Sequence, residues 1–189
     1  RLTDYGIKSW SELEGVIPNI VEVKMKTSYR QSKKLLNVAR RIYADTLGKK
    51  PNYTAFMKSS KVPDPLVFVD TNEENKITWI SKRIEEVYRA YGEQLPSIAI
   101  FVTDKGYIQA FIQRLQNTEF FKTHKIHVLD GTDHDINKGL NHICVYPIDV
   151  VKGMEFDVVF FHNIDKVSIE DTERIKRYIY VGVSRAAFF

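Results

Sequence analysis

One cysteine, Cys144, stands in a chain of 189 residues. A single thiol excludes an internal disulfide and a cysteine-based zinc cage. It also fits a reducing compartment, so a cytoplasmic setting is expected. Glycine is scarce, with nine residues. No GxxxxGK[ST] phosphate loop and no GxGxxG fingerprint occur, so the chain lacks the usual means of gripping a triphosphate through backbone N–H groups alone. No apolar run reaches the roughly 18–20 residues of a membrane helix, and no membrane partner is expected. The five histidines show no HExxH-like pairing. The oxygen-rich "DGTDHDINKG" (130–139) misses calcium-loop spacing, because counting from Asp133 places Cys144 where a glutamate is required. A polar turn is the reading there, and no metal site is expected. No GxSxG or triad-like grouping appears.

The composition is that of a folded protein, 43% hydrophobic and 12% aromatic. The length suits one substantial domain. Residue 1 is Arg, not Met, so residues 1–189 are expected to be one lobe cut from a longer protein. The net charge of +4 is modest, but its distribution is uneven. Between residues 24 and 50 stand Lys24, Lys26, Arg30, Lys33, Lys34, Arg40, Arg41, Lys49 and Lys50, against Asp45 alone. Such a run is either a solvated helix face or a surface facing phosphates.

Periodicity supplies the elements. "VEVKMKTS" (21–28) alternates Val21, Val23 and Met25 with polar residues, as a half-buried strand does. Residues 31–50 carry Leu35, Leu36, Ala39, Ile42, Tyr43 and Leu47 on one helical stripe, with Gly48 as a C-terminal cap. "PLVFVD" (65–70) reads as a continuous apolar strand. Residues 74–93 place Ile77, Ile80, Ile84, Val87, Tyr88 and Tyr91 at helical period. Further strands are read at 97–102, 125–130, 142–148 and 157–164. Asp104 caps a helix with Ile108, Phe111, Ile112 and Leu115 facing inward, and a last helix is read over 170–186. Strands alternating with helices define an α/β fold with a mostly parallel sheet flanked by helices. Ligands in such sheets bind near strand ends.

Three stretches put charge beside strand ends. They are "TSYRQS" (27–32), read as a strand followed by Tyr29 and Arg30 opening a helix; "VVKGMEFDVVFF" (150–161), with Gly153 and Glu155 ahead of a strand; and "RYIYVGVSRAA" (177–187). Each alone has a plain explanation. Tyr29–Arg30 fits an interface pair, Lys152–Gly153 an ordinary turn, and Arg185 a partner of a buried carboxylate such as Asp157.

Together and in order, they resemble motifs IV, V and VI of the second RecA-like lobe of UvrD/Rep-type superfamily 1 helicases. Those motifs usually read (N/S)YRS(T/S), KGLEFDVV and YV(A/G)xTRA. The resemblance implies a RecA-like (P-loop NTPase-type) second motor lobe without its own phosphate loop. It implies that Tyr29 stacks on adenine and that Arg30 and Arg185 reach the γ-phosphate as the catalytic residues. It implies too that Gly153 and Glu155 lie near the ribose and the lobe interface. ATP is the implied cofactor, with Mg2+ held by an upstream lobe. The implied partners are single-stranded or duplex DNA and the N-terminal helicase lobe of the same chain. The fragment alone is expected to be inactive.

The sequence departs from the pattern at Pro147 and Asp149, where the family usually has Thr and His. This form is closer to the helicase IV/HelD-like branch, which implies RNA polymerase as an alternative partner. Gln31 replaces the serine after the arginine, a change expected to be harmless. A nucleotide-independent binding module is the third reading. The intact Tyr29, Arg30, Glu155 and Arg185 argue against it.

Overall fold

The computed structural model describes residues 10–17, 19–21, 23, 26–48, 52, 54–57, 63–132, 142–166 and 172–188. Its α/β architecture is the expected one. The helices are α1 (Trp10–Val16), α2 (Lys33–Leu47), α3 (Glu73–Ala90), α4 (Ile108–Gln116), α5 (Glu119–His124) and α6 (Thr172–Val183). The strands are β1 (Thr27–Ser32), β2 (Thr54–Met57), β3 (Ile98–Val102), β4 (His127–Asp130), β5 (His142–Pro147) and β6 (Val158–His162). Strands β4-β5-β3-β6 form one parallel sheet, and β1 and β2 form a separate parallel pair.

Strand β3 lies between β5 and β6 and is buried along its whole length. Ile98, Ile100 and Val102 face a core built with Ile77, Ile80 and Ile84 of α3, Phe111 and Leu115 of α4, and Phe121 of α5. Ala99 and Phe101 face the opposite core, with Cys144, Tyr146, Val151 and Tyr178 of α6. Both faces are covered, so every position must be apolar. This is why the strand reads as an uninterrupted hydrophobic run. α6 comes close to the sheet at Gly182, where a Cβ would lie 2.2 Å from Cζ of Phe161.

Capping follows the sequence. Ser32 accepts the Leu35 N–H at 3.3 Å to open α2, and Gly48 closes it at φ +64°. Asp104 accepts from Gly106 N–H and caps a short 3-10 turn that leads into α4. The inward stripe holds through Leu35, Leu36 and Ala39, while the Leu47 side chain lies outside the described residues. No helix among the described residues is long and apolar enough to cross a membrane.

Two expected strands are corrected. In the stretch 21–28 the described residues 21, 23 and 26 lie outside any strand, with Val21 and Val23 78% and 79% exposed, while Met25 lies outside the described residues. The strand begins at Thr27 instead, so Tyr29 and Arg30 lie inside it and the helix opens at Lys33. The apolar run 65–70 also forms no strand, and Val67 and Val69 are exposed. Pro63 and Pro65 remove backbone donors there. Phe68 is held by side-chain packing, its ring stacked on Trp79 at 5.3 Å between centroids. Of the basic run, Lys24, Lys49 and Lys50 lie outside the described residues, as does 133–139 of the oxygen-rich turn.

Candidate functional site

The three motifs converge through backbone hydrogen bonds around the turn that follows α6. Arg185 N–H donates to Gly182 O at 2.9 Å as the helix ends. Phe156 N–H then donates to Arg185 O at 3.0 Å, and Ala187 N–H returns to Phe156 O at 2.9 Å. A parallel bridge thus joins Phe156 to Ala186. On the other side, Ser32 N–H donates to Ala187 O at 3.0 Å. Residues 185–187 therefore stitch the β1–β2 pair to the entry of β6, bringing motif IV beside motifs V and VI.

The β1–β2 register contains an irregularity where the site lies. Ser28 pairs with Ala55 and Ser32 with Met57, so Tyr29, Arg30 and Gln31 together oppose the single residue Phe56. A bulge of this kind breaks strict alternation and re-aims side chains. Tyr29 points to solvent. Arg30 turns toward motifs V and VI, pairing with the Glu155 carboxylate and donating from Nη2 to the Ser184 carbonyl. Its Nε is buried without a partner among the described residues. Gln31 is buried and donates to Val183 O at 2.8 Å and to Ala186 O at 3.3 Å. Gln31 is thus a clip that holds motif IV against motif VI.

Arg185 sits half-buried, just past the end of α6. Its Nε lies 3.3 Å from Val181 O and 3.2 Å from Ser184 Oγ. Nη2 donates to Ser184 Oγ at 2.9 Å, and Nη1 to Met154 O at 3.3 Å. Burial holds its pKa below the usual arginine value, the nearby charge of Arg30 adds to this, and Glu155 opposes it. Asp157, the carboxylate that might have neutralised it, faces elsewhere. Its Oδ2 accepts from Ser97 N–H at 2.9 Å and from Ser97 Oγ at 2.7 Å. Gly153 turns the chain ahead of Glu155 at φ +87°, a left-handed conformation that glycine adopts without strain.

A second polar cluster gave no motif in the sequence. At the carboxyl ends of β3 and β6, Glu73 accepts from Tyr107 Oη at 2.6 Å and from Asn163 Nδ2 at 3.2 Å. The His162 Nε2 contact is 2.6 Å, and Lys166 Nζ lies 3.8 Å away. Burial raises the Glu73 pKa, but hydrogen bonds from Tyr107, Asn163 and His162 outweigh it and hold it at about 2. Burial pushes the His162 pKa down despite Glu73, and because the ring faces a carboxylate oxygen its Nε2 is the donor. Burial, then the bond to Glu73, raises Tyr107 to about 12. Residues 73, 107 and 162 are far apart in sequence, and only the order of the strands brings them together.

The fold and site define a class: a parallel α/β lobe that presents two arginines beside the entry of one strand. The comparisons with known proteins agree. Residues 142–187 match the model of the UvrD-like helicase C-terminal domain, a span that holds motifs V and VI. The structure resembles the C-terminal domain of a possible DNA helicase from Lactobacillus plantarum WCFS1. The TM-score is 0.58 and the identity 19%, over 85% of this chain and 83% of that one. No curated protein matches the sequence. The resemblance to a UvrD-like C-terminal lobe is thus borne out, by sequence over motifs V and VI and by fold over most of the chain.

Proposed function

We propose that the chain is the second motor lobe of an ATP-dependent superfamily 1 DNA helicase or translocase. It lends Arg30 and Arg185 to ATP held on a separate lobe. The observation that carries this reading is the pairing of Arg185. Carbonyl and hydroxyl oxygens accept from Nε, Nη1 and Nη2, three of its five N–H donors, and among the described residues no carboxylate ion-pairs with it. A half-buried cation bound only to neutral acceptors is suited to an anion from outside the chain. Arg30, whose charge acts on Arg185, stands beside it and fits the same ligand.

ATP supplies the anion. Charge builds on the transferred phosphoryl oxygens, and an arginine brought across an interface stabilises it. A guanidinium suits this role better than an ammonium because its planar fork meets two oxygens and stays protonated. Tyr29, exposed one residue before Arg30, offers a face for the base, and Gly153 lets the chain turn so that Glu155 stands beside Arg30. Binding of the phosphate would draw the lobes together and its loss would release them, which couples turnover to movement along DNA. Exposed Lys26, Lys33 and Arg41 supply positive charge for a phosphate backbone.

Substituting Arg185→Ala in the complete protein tests this, with DNA-stimulated ATP hydrolysis as the readout. We expect turnover to collapse, and the 189-residue chain by itself to hydrolyse no ATP. Unchanged turnover in the variant, or robust hydrolysis by the chain alone, overturns the reading.

One observation favours a second reading, an ATP-driven factor that remodels RNA polymerase–nucleic acid complexes. Pro147 closes β5, and the exposed residue two positions on is the acidic Asp149. An anion at that strand end repels a phosphate backbone. Unwinding assays with and without polymerase separate the two. Polymerase-dependent turnover without strand separation selects the second.

A further inference from the structure

Ser184 follows the last residue of α6, and each of its polar atoms is engaged. Its N–H donates to Tyr180 O at 3.0 Å, and its carbonyl accepts from Arg30 Nη2. Its hydroxyl donates to Val181 O at 2.6 Å, which fixes the single hydroxyl proton and leaves both lone pairs of Oγ to accept. Arg185 meets that oxygen with Nε at 3.2 Å and Nη2 at 2.9 Å. Nε and Nη2 are neighbours on one edge of the guanidinium, so one oxygen that takes both N–H groups sets the plane of the fork. Nε is shared with Val181 O at 3.3 Å, and Nη1 reaches Met154 O at 3.3 Å. One N–H on each terminal nitrogen is left over for an incoming anion. The two arginines thus lie on the two oxygens of a single residue. Like charges repel, so two cations stand side by side only where something holds them there.

We propose that Ser184 is a positioning residue for both arginines: its hydroxyl sets the plane of the Arg185 guanidinium and its carbonyl holds Arg30 alongside, so that the two cations converge on one phosphoryl group. This role rests on the proposed split nucleotide site and adds to it the residue that aligns the two cations. Stabilising a developing charge needs donors already aimed at it. A long arginine side chain has many rotamers, and a fork ordered in advance loses less freedom when the ligand arrives. The holding group must also be neutral. A carboxylate at position 184 would orient the fork as firmly but would cancel its charge, whereas a hydroxyl and a carbonyl leave that charge for the ligand.

The test uses the complete protein, DNA-stimulated ATP hydrolysis, and the binding of two probes, ADP and ADP with aluminium fluoride, which mimics the phosphoryl group in flight. Ser184→Ala removes the hydroxyl and keeps the carbonyl. It is expected to lower kcat about 10²-fold, as misplacement of a charged group by about 1 Å does, with little change in the KM for ATP. Binding of ADP with aluminium fluoride weakens by a similar factor, and binding of ADP alone is unaltered. Ser184→Thr, which returns a hydroxyl to the same place, is expected to restore kcat. An unchanged kcat in Ser184→Ala overturns the role, and so does a Thr variant as slow as the Ala variant. Equal weakening of both probes also overturns it, because the loss is then a general one of the fold. In these cases a collapse of turnover in Arg185→Ala leaves the split-site reading standing. Unchanged turnover in Arg185→Ala removes that reading and the role of Ser184 with it.

Discussion

The Gln31 side chain donates to the backbone carbonyl of Val183 at 2.8 Å, joining two positions 152 residues apart in the chain. The same amide reaches Ala186 O at 3.3 Å. The carbonyls belong to the last residue of α6 and to the turn that carries Arg185, so Gln31 fixes where that arginine stands.

Removing this amide strands acceptors in a buried place. Gln31→Ala is expected to cost about 2 kcal/mol, the range for a buried polar group left without its partner. Thermal unfolding of the variant measures it. An unchanged Tm shows that the clip contributes nothing.

Close packing at Gly182 sets a second expectation. A methyl group there meets the Phe161 ring at 2.2 Å and Phe101 Cδ2 at 3.0 Å. α6 must then lift from the sheet, or the rings must leave their positions. Gly182→Ala is expected to destabilise by about 1–3 kcal/mol, with a larger loss for Gly182→Val. On the proposed function, turnover is expected to fall as well, because Arg185 stands just past the end of α6. Denaturant titration alongside ATPase kinetics reads both effects.

Arg30 makes two bonds to different acceptors, the Glu155 carboxylate and the Ser184 carbonyl. A lysine places one ammonium and cannot reproduce that fork. On the proposed function, Arg30→Ala is expected to lower kcat by about 10³-fold, and Arg30→Lys is expected not to restore it. Steady-state kinetics that show full activity in Arg30→Lys would contradict a role for the fork.

The Glu73 cluster sets the response to acid. Glu73 falls from 4.5 in the unfolded chain to about 2 in the fold, so its stabilisation is complete above pH 4.5 and is lost as the pH drops toward 2. His162, also lowered by folding, contributes above pH 6.5 and loses that contribution as protonation is forced on the buried ring. Tm is therefore expected to fall steadily from pH 7 to pH 3. Glu73→Gln flattens the part below pH 4.5. Scanning calorimetry across this range, with identical slopes in the two proteins, would count against the cluster.

Much of the α/β fold was legible because burial leaves a periodic trace. β3, β5 and β6 read as apolar runs, since helices cover both sheet faces. α3 and α4 read from their stripes, since one face of each is solvated. The same logic failed at 65–70. That segment is as apolar as β3, but it found no strand to pair with, and Phe68 packed on Trp79 instead. Hydrophobicity records the wish to be buried and not the availability of a partner.

The site divides in the same way. Tyr29, Arg30, Gly153, Glu155 and Arg185 could be put forward as candidates from sequence because each sits in a short motif whose residues are neighbours in the chain. The Phe56 contact with Tyr29, the Gln31 clip and the Glu73–Tyr107–His162 cluster could not. Their roles depend on a strand register, on a helix end 152 residues away and on the carboxyl ends of strands brought together by their order in the sheet. The sequence by itself determined which residue types stand at the strand and helix ends, because local spacing encodes them. Only the tertiary structure decided what faces what: Asp157 against Ser97 and not Arg185, and Arg30 against Glu155. Such pairings are set by sheet topology, which couples residues through space and leaves no period along the chain.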